Sequence, residues 1–542
     1  METLHPGVYT VELPSAVRPI EGVSTSTAAF IGYASKGPIP GTKLPNGRAA
    51  EPLLVTSFTE YQRNFGGFRV DSFLSYAARA FFENGGQRLY IVRVVGAPTG
   101  PSSPPVQAAS RALSAAGAPF GISAANEGAW GNRITVEIAN SSDGATANNF
   151  KLVVKYDSGT GPDVVETYDN VTFSGSPTSG VGSPTPADYA RTVVNSRSEY
   201  IAILAPDFTS RPSNQTVSLS GGSDGPQPQL TDISGQPAVD STVTGTGLRA
   251  LDRVTDVNLI AAPGYGDRNT VQAGMSYCKT RRLQDCFFLG DVGSVSNVQA
   301  ARQQGAQPDL RTSADARNFS VTFPGKSFGD YGAVYFPYVL ANDPLGQGRN
   351  PQILLPPSPF MAGVYARIDN SRGVFKAPAG LEAGVAGAVG VASCVSETEQ
   401  DQLNPVGINA IRAIPGAGIV SWGTRTIGSD PAWRYIPVRR MAIFLRVSIY
   451  NGIQFAVFEP NDEPLWAALR LNIRSFMLTQ FRAGAFQGSK PDDAFFVKCD
   501  SSTTTQGDID IGIVNILVGF APLKPAEFVI LKLSQKAGQG AS

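Results

Sequence analysis

The stretch Asn258-Leu259-Ile260-Ala261-Ala262-Pro263-Gly264 is a short apolar strand that ends in a Pro-Gly turn. A second strand of this kind, Cys286-Phe287-Phe288-Leu289-Gly290-Asp291, begins about 28 residues later. Between them, Val271–Lys279 has the pattern of a helix. Two strands that end in turns and are separated by a helix are typical of parallel βαβ units. Residues 241–395 are therefore predicted to form an α/β domain.

The rest of the chain differs in composition and predicts a multidomain protein of mixed α+β and α/β class. A length of 542 residues fits about three or four compact units. The predicted segments are an N-terminal arm (1–25), the N-terminal part of the core domain (26–96), a β-rich surface insertion (97–240), the α/β domain (241–395), a C-terminal α+β domain (396–520) and a C-terminal arm (521–542).

Charge and cysteine content exclude several classes of protein. Lys and Arg number 44 and Asp and Glu number 44, so the formal net charge is zero. Coating nucleic acid or an anionic membrane needs a basic excess, so neither partner is expected. A net charge near zero instead favours self-association. The four cysteines form no CxxC pair and have no neighbouring histidine, so we expect no metal and no cofactor.

The sequence predicts that the protein is not an enzyme. Gly221-Gly222-Ser223-Asp224-Gly225 matches the GxSxG pattern, but Pro226-Gln227-Pro228 follows where a nucleophile elbow needs a helix. The single histidine is His5, so a Ser-His-Asp site has no base. A serine-type α/β hydrolase that uses Ser223 remains an alternative, and Ser223→Ala with unchanged activity would eliminate it.

Two further motifs resemble nucleotide-binding loops without matching them. Pro324-Gly325-Lys326-Ser327 ends like a P-loop, but Ser320 stands where the first glycine is required. Gly245–Ala250 matches GxGxxA, although no clear long apolar strand precedes it. Both motifs are interpreted as turns or helix starts.

The segment Pro464–Arg482 is a predicted helix with one wide apolar face. Arg470 and Arg474 border that face and Arg482 lies further round. Two interpretations stay open at this point. The helix is either a core element whose arginines lie in water, or a docking helix whose arginines meet carboxylates of a partner.

Both chain ends carry strand patterns that prolines separate from the body. Near the N-terminus, Tyr9, Val11 and Leu13 fall on one side of a strand and Val8 on the other. Near the C-terminus, Pro522 and Pro525 precede Glu527–Leu533. Such a strand can pair within its own chain or complete a sheet in another copy. Two such ends on a neutral chain favour exchange between subunits.

Several motifs resemble the contractile tail sheath proteins of phages, tailocins and related injection systems. The resemblance covers both ends and the middle of the chain and is weak only near 100–215. The motifs are Pro6–Tyr9, Val17–Ser26, Phe65–Phe68, Phe82–Gly86, Gly221–Gly225, Ala362–Arg367, Arg372–Pro378, Trp433–Ile436, Phe458–Trp466 and Gly519–Glu527. Gly380 departs from the family, which often has Asn there.

The resemblance implies a fold and a function. It implies a subtilisin-like middle domain without catalytic residues, and a structural subunit of a helical sheath that contracts to drive an inner tube through an envelope. It also implies strands exchanged between subunits and a helix that touches the tube. The exchanged arm strands would contain Val8, Tyr9, Val11, Leu13, Phe528, Val529, Ile530 and Leu531. The residues that contact the tube would be Arg470, Arg474 and Arg482.

The same resemblance implies partners and a location. The expected partners are further copies in hexameric rings, the inner tube protein, and baseplate and terminator or cap proteins, without membrane insertion. The chain start has neither a basic nor an apolar leader region, so we expect synthesis in the bacterial cytoplasm without a signal peptide. The product is then part of a virion tail or injection particle, cytoplasmic or released by lysis. A static shell protein with a single lattice geometry is the other alternative.

Overall fold

A computed structural model of the chain divides into two compact units. The α/β unit contains residues 24–371 and 378–436, and the C-terminal unit contains 1–23, 372–377 and 437–542. The residues that the structure describes are 19–98, 105–113, 120–143, 149–158, 162–173, 187–204, 211–294, 310, 312–347, 349, 351–528 and 530. Val8, Tyr9, Val11, Leu13, Val529 and Leu531 lie outside these residues.

Twenty strands and twelve α-helices are found in the described residues. The strands are β1 Ala28–Gly32, β2 Leu53–Val55, β3 Leu89–Arg93, β4 Ser110–Leu113, β5 Phe120–Ala124, β6 Ile134–Ala139, β7 Asn149–Asp157, β8 Pro162–Thr172, β9 Ile201–Ile203, β10 Gln215–Ser218, β11 Leu259–Ala261, β12 Phe287–Asp291, β13 Gly332–Phe336, β14 Val339–Asn342, β15 Gln352–Leu355, β16 Ala388–Val391, β17 Ile408–Ile414, β18 Gly418–Ser421, β19 Phe495–Lys498 and β20 Leu517–Phe520. The helices are α1 Phe58–Phe65, α2 Leu74–Glu83, α3 Ala190–Arg197, α4 Leu230–Ser234, α5 Arg268–Thr280, α6 Ser313–Val321, α7 Ser358–Arg372, α8 Glu397–Leu403, α9 Ile436–Gly452, α10 Glu463–Arg482, α11 Pro491–Ala494 and α12 Gln506–Asp510.

An eight-stranded sheet forms the centre of the α/β unit. Its strand order is β18-β17-β13-β12-β11-β1-β3-β2, and only the two edge strands, β18 and β2, run antiparallel to their neighbours. Its inner strands β1, β11, β12 and β13 are buried along their whole length. Parallel strands that are covered on both faces have continuous apolar sequences, and these strands do too.

The βαβ unit predicted from residues 258–291 is present. Strand β11 pairs in parallel with β12, and α5 connects them. The helix begins where the side chain of Asp267 accepts hydrogen bonds from Asn269 N and Thr270 N, both at 3.0 Å. Helix and sheet approach closely at Gly274, where a Cβ would lie 2.2 Å from the Phe288 ring. The expectation of a mixed α+β fold is confirmed.

The part of the α/β unit between β3 and β11 carries small antiparallel sheets. One sheet has the order β10-β6-β7-β8 and the other β4-β5-β9. They share a separate cluster of buried side chains that includes Trp130, Phe150 and Tyr189. Alternating burial along β6 places Ile134, Val136 and Ile138 in this cluster. A three-stranded sheet, β15-β14-β16, lies elsewhere in the same unit.

The C-terminal unit is built from α9, α10 and the hairpin of β19 and β20. One core cluster contains the buried residues Ile20, Val374, Met441, Leu445, Ile473, Phe476, Met477, Ala485, Phe486, Ala494 and Phe495. A second, smaller cluster contains Leu465, Trp466, Leu469 and Cys499. Among the described residues, none of the helices combines the length and the hydropathy that crossing a bilayer requires.

Candidate assembly surface in the C-terminal unit

Strands β19 and β20 form a two-stranded antiparallel sheet, which pairs Phe495 with Phe520 and Lys498 with Leu517. Within the described residues, neither strand has a second partner strand. An isolated two-stranded ribbon is marginally stable, and each edge presents unpaired N–H and C=O groups. The hairpin can therefore accept a further strand on either side.

One face of the hairpin is anchored in the core of the unit and the other faces outwards. Phe495 is buried, and its ring lies 6.1 Å from that of Phe486, which in turn lies 5.7 Å from Phe520. On the other face, Phe496 is 46% exposed and Leu517 is 52% exposed. Side chains alternate between the faces of a strand, so Phe496 and Lys498 of β19 share the outer face with Leu517 of β20.

The C-terminal arm starts at the end of this hairpin. Gln487 N donates to Ala521 O at 2.9 Å, and Phe486 forms an isolated antiparallel bridge with Pro522. No helix or strand follows Pro522 in the described residues. Phe528 is 75% exposed and Ile530 is 80% exposed. These two predicted arm residues are therefore not buried by the part of the chain that the structure describes.

Exposed apolar side chains are concentrated in the C-terminal unit. Of the nineteen large hydrophobic residues that are exposed in the described part of the chain, ten fall between positions 457 and 530. They are Val457, Phe458, Leu471, Phe496, Ile511, Ile513, Leu517, Leu523, Phe528 and Ile530. Proteins that bind another protein expose more apolar surface than a monomer does, so the C-terminal unit is the part of the chain where such a site is expected.

Helix α10 starts with a well-defined cap. The Asp462 side chain accepts a hydrogen bond from Leu465 N at 3.1 Å, and Pro464 occupies the first turn. Asn461 Oδ1 accepts from Trp466 Nε1 at 2.9 Å, while its Nδ2 donates to Ile513 O at 3.0 Å. The Phe458–Trp466 motif thus fixes where α10 begins.

The apolar face predicted for α10 is buried. Its buried residues are Leu465, Trp466, Leu469, Asn472, Ile473, Phe476 and Met477. Asn472 is the one polar residue in this set, and a polar residue does not contribute to an apolar pattern in the sequence. Gln480 lies at the margin of this face and is only partly buried.

The structure places the three predicted arginines in different environments. Arg470 is 30% exposed, donates to Glu463 Oε1 at 2.6 Å and also contacts the carbonyl oxygen of Cys499. Arg474 is 52% exposed and donates to Asp492 Oδ1 at 2.9 Å. Both guanidinium groups are thus already paired within the chain.

Arg482 differs because no carboxylate pairs with it in the described part of the chain. It lies exposed in the last turn of α10, where a cation interacts favourably with the helix dipole. Of the three, it is the cation most available to a partner.

The motif that resembles a nucleophile elbow, Gly221–Gly225, lies in a loop that hydrogen bonds hold in place. Ser223 Oγ accepts a hydrogen bond from Gly225 N at 3.3 Å, and the loop continues without a helix until α4. Asp224 accepts from Arg69 Nη1 at 2.7 Å and from Ala129 N at 2.7 Å, which holds this loop in place. No group of three or more metal-ligating side chains occurs in the described residues.

Comparison with known proteins identifies related sequences. Residues 428–536 match the phage tail sheath C-terminal domain family. The tail sheath protein of Vibrio phage KVP40 is 26% identical over 241 residues, which cover 44% of this chain and 33% of that protein. The match therefore spans about a third of the length of this curated relative.

Solved structures extend the likeness to nearly the whole chain. The PVC sheath complex of an extracellular contractile injection system, in its contracted state, has a TM-score of 0.56 at 22% identity and covers 99% of both chains. The anti-feeding prophage helical sheath in its contracted state gives 0.53 at 23%, covering 98% of this chain and 100% of that one. The sheath tail protein Lin1278 from Listeria innocua gives 0.55 at 12%, covering 93% and 96%.

At these identities the solved structures establish a shared fold. Together with the family match at the C-terminus, they confirm the resemblance to contractile tail sheath proteins that the sequence motifs predicted.

Proposed function

We propose that this chain, whose residues 428–536 carry the phage tail sheath C-terminal domain, is a structural subunit of a contractile helical sheath around an inner tube. The observation that carries the proposal is the full-length fold match to a sheath that was solved in its contracted state. The subunit has no catalytic role in this proposal. The middle of the α/β unit corresponds to the subtilisin-like fold of the family.

The hairpin of β19 and β20 is proposed as the joint between subunits. Its two open edges accept the strands around Val8–Leu13 and Phe528–Leu531 from neighbouring copies. If each added strand makes about four hydrogen bonds, each worth a net ~1 kcal/mol, a single joint is modest. Each subunit takes part in several joints, so separating one strand does not release it from the particle.

Contraction is proposed as a change between two packings of the same subunits. Rigid units rotate and move outwards while the exchanged strands stay paired, and the proline-flanked arms act as hinges. The extended state persists because a barrier separates the two packings. Weak contacts between α10 and the tube are replaced by new contacts between subunits.

The proposed particle is a phage tail or an injection system, assembled from hexameric rings with a baseplate at one end and a terminator at the other. The chain is made in the bacterial cytoplasm and leaves with the particle or on lysis. The hydrolase alternative is not favoured. Ser223 lies in a loop held by structural hydrogen bonds, and His5, the single histidine of the sequence, lies outside the described residues.

Electron microscopy of the purified protein tests the proposal. Negative staining, with and without the products of the neighbouring genes, is expected to show striated hollow cylinders of two lengths. Deleting residues 1–20 or 526–542 is expected to abolish the cylinders. A control that deletes only 536–542 keeps the strand pattern and is expected to assemble. Intact cylinders from both long deletions would contradict the exchange of strands, and a single cylinder geometry would favour the static shell.

A further inference from the structure

The α/β unit contains a pocket of about 400 Å³ that the proposed function does not use. Its walls come from the end of α6, the turn that carries Lys326, the turn at residues 405–407, and the loop at residues 425–434. We call it the Lys326 pocket. The volume lies in the range of sites that hold small ligands or single side-chain groups of a partner.

The Lys326 pocket lies at the amino ends of two neighbouring parallel strands. Gly407 lines the pocket and directly precedes β17, while Ile427 N, beside the lining residue Thr426, donates to Gly332 O at the start of β13. Active sites of open α/β sheets lie outside the carboxyl ends of the strands instead. The location therefore favours binding over catalysis.

Lys326 comes from the motif that resembles a P-loop in the sequence. Its Nζ donates to Ser320 Oγ at 2.8 Å, and Ser320 Oγ donates to Val406 O at 2.5 Å. No carboxylate pairs with Lys326 in the described part of the chain. Burial lowers the pKa of Lys326 to about 8, and no nearby acid offsets this effect. The ammonium group keeps two donors and an uncompensated charge.

Two arginines line the same pocket. Arg425 Nη1 donates to Asn404 O at 3.1 Å, which fixes one side of its guanidinium group. Arg434 is exposed and has no carboxylate partner among the described residues. The one acidic side chain in the lining is Asp430, and its Oδ1 already caps the following turn by accepting from Ala432 N at 2.9 Å. Three cations thus line the pocket with one carboxylate.

We infer that the Lys326 pocket binds an oxyanion, with Lys326 and Arg434 as its principal ligating side chains. Two sources present this chemistry, a free phosphate group and the carboxylate of an acidic side chain on a second copy of the chain. Arginine and lysine both form charge-assisted hydrogen bonds to either group, and these are stronger than neutral ones. Only the second source rests on the proposed function.

Calorimetric titration of the unassembled full-length protein with inorganic phosphate, at constant ionic strength, tests the first source. Lys326→Met keeps the aliphatic part of the side chain and removes the charge. Loss of one charge-assisted hydrogen bond is expected to weaken phosphate binding by about tenfold or more. The control Lys43→Met removes an exposed lysine and is expected to leave binding unchanged. Arg434→Gln supplies a second variant at an exposed position, should Lys326→Met fail to fold.

Cylinder assembly tests the second source. If phosphate does not bind, Lys326→Met and Arg434→Gln are both expected to raise the protein concentration needed for assembly by about tenfold, and Lys43→Met is not. An effect on assembly without phosphate binding assigns the site to a second copy. No effect in either measurement overturns the inference. If the wild-type protein forms no cylinders, the proposed function fails, and the phosphate titration alone decides the pocket.

Discussion

Asp291 at the end of β12 accepts two hydrogen bonds from Ser358, the first residue of α7. Ser358 N donates to Oδ1 at 2.7 Å and Ser358 Oγ donates to Oδ2 at 2.8 Å. The carboxyl group is fully buried, and this burial raises the pKa of Asp291 to about 7, although the hydrogen bonds act in the opposite direction. A titrating group therefore joins the central sheet to the start of a helix.

The buried Asp291 is expected to make stability depend on pH. In the unfolded chain this carboxyl group ionises near its ordinary pKa of 3.8. Between about pH 4 and pH 7 the folded state holds a proton that the unfolded state has released, so stability falls as pH rises. The slope contributed by one group is at most about 1.4 kcal/mol per pH unit.

Urea unfolding of the unassembled protein from pH 4 to 7.5 measures this effect. Asp291→Asn should show a flatter dependence than the wild type, because the amide does not ionise. Asp492→Asn, at an exposed position, is the control and should keep the wild-type slope. Parallel curves for wild type and Asp291→Asn would show that Asp291 does not titrate in this window.

Phe458→Gly is expected to stabilise the chain. Phe458 has φ 71 and is fully exposed, so it adopts a left-handed backbone without burying its ring. Such a conformation costs a bulky residue about 1–3 kcal/mol, more than the added unfolded-state entropy of glycine. We expect a gain of about 1 kcal/mol in the free energy of unfolding, measured in urea. Phe528→Gly removes an exposed ring at a position without positive φ and should give no gain.

Asp285→Asn is expected to destabilise the α/β unit strongly. Arg281 is mostly buried and donates from Nε to Asp285 Oδ1 at 2.7 Å, and its other nitrogens donate to the carbonyl oxygens of Leu251 and Val254. Removing the carboxylate leaves a buried charge without a counter-ion, at a cost of about 3–5 kcal/mol. The control Glu83→Gln breaks an exposed pair with Arg79 and should cost under about 0.5 kcal/mol. Equal losses in thermal or urea unfolding would contradict this difference.

Arg482→Glu is expected to weaken co-assembly with the tube protein. It should lower the stability of the free subunit by only about 0.5 kcal/mol, because the new carboxylate lies at the negative end of the helix dipole but no ion pair among the described residues is lost. Arg470→Glu should also destabilise the subunit, by about 1 kcal/mol, since it breaks contacts with Glu463 and Cys499. Co-sedimentation with the tube and urea unfolding separate the two effects. Lys490→Glu is the exposed control. Unchanged co-sedimentation of Arg482→Glu would exclude it from the tube contact.

Elements whose sequence pattern is local were predicted correctly. The βαβ unit around α5 and the long helix α10 both appear close to their predicted bounds, because apolar periodicity and capping residues act over a few turns. The apolar segment Phe455–Phe458 is predicted from the sequence to be a strand. The structure instead has a 3₁₀ turn at Gln454–Ala456. Phe455 and Ala456 pack against the cluster around Trp466, a tertiary contact that strand periodicity does not reveal.

The functional surfaces were only partly predictable for the same reason. The sequence singled out the arginines of α10, but whether each one already has a partner depends on the folded chain. Glu463 pairs with Arg470 from the first turn of the same helix, whereas Asp492 and Cys499 belong to other parts of the unit. The Lys326 pocket gathers residues from three separate loops between positions 321 and 434. The sequence signal for this pocket is the incomplete P-loop, which indicates a lysine in a turn but gives no indication of the two arginines that line the same pocket.

The two open edges of the β19–β20 hairpin have a numerical consequence. In the proposed sheath each subunit donates two strands and accepts two. In the interior of the cylinder every donated strand therefore has an edge to pair with. In the first and last rings the numbers of strands and edges differ, so some hairpin edges or some arm strands stay unpaired. A growing cylinder therefore always exposes reactive ends, and a finite particle needs different proteins there, one that supplies strands to start the lattice and one that occupies the remaining edges to stop it.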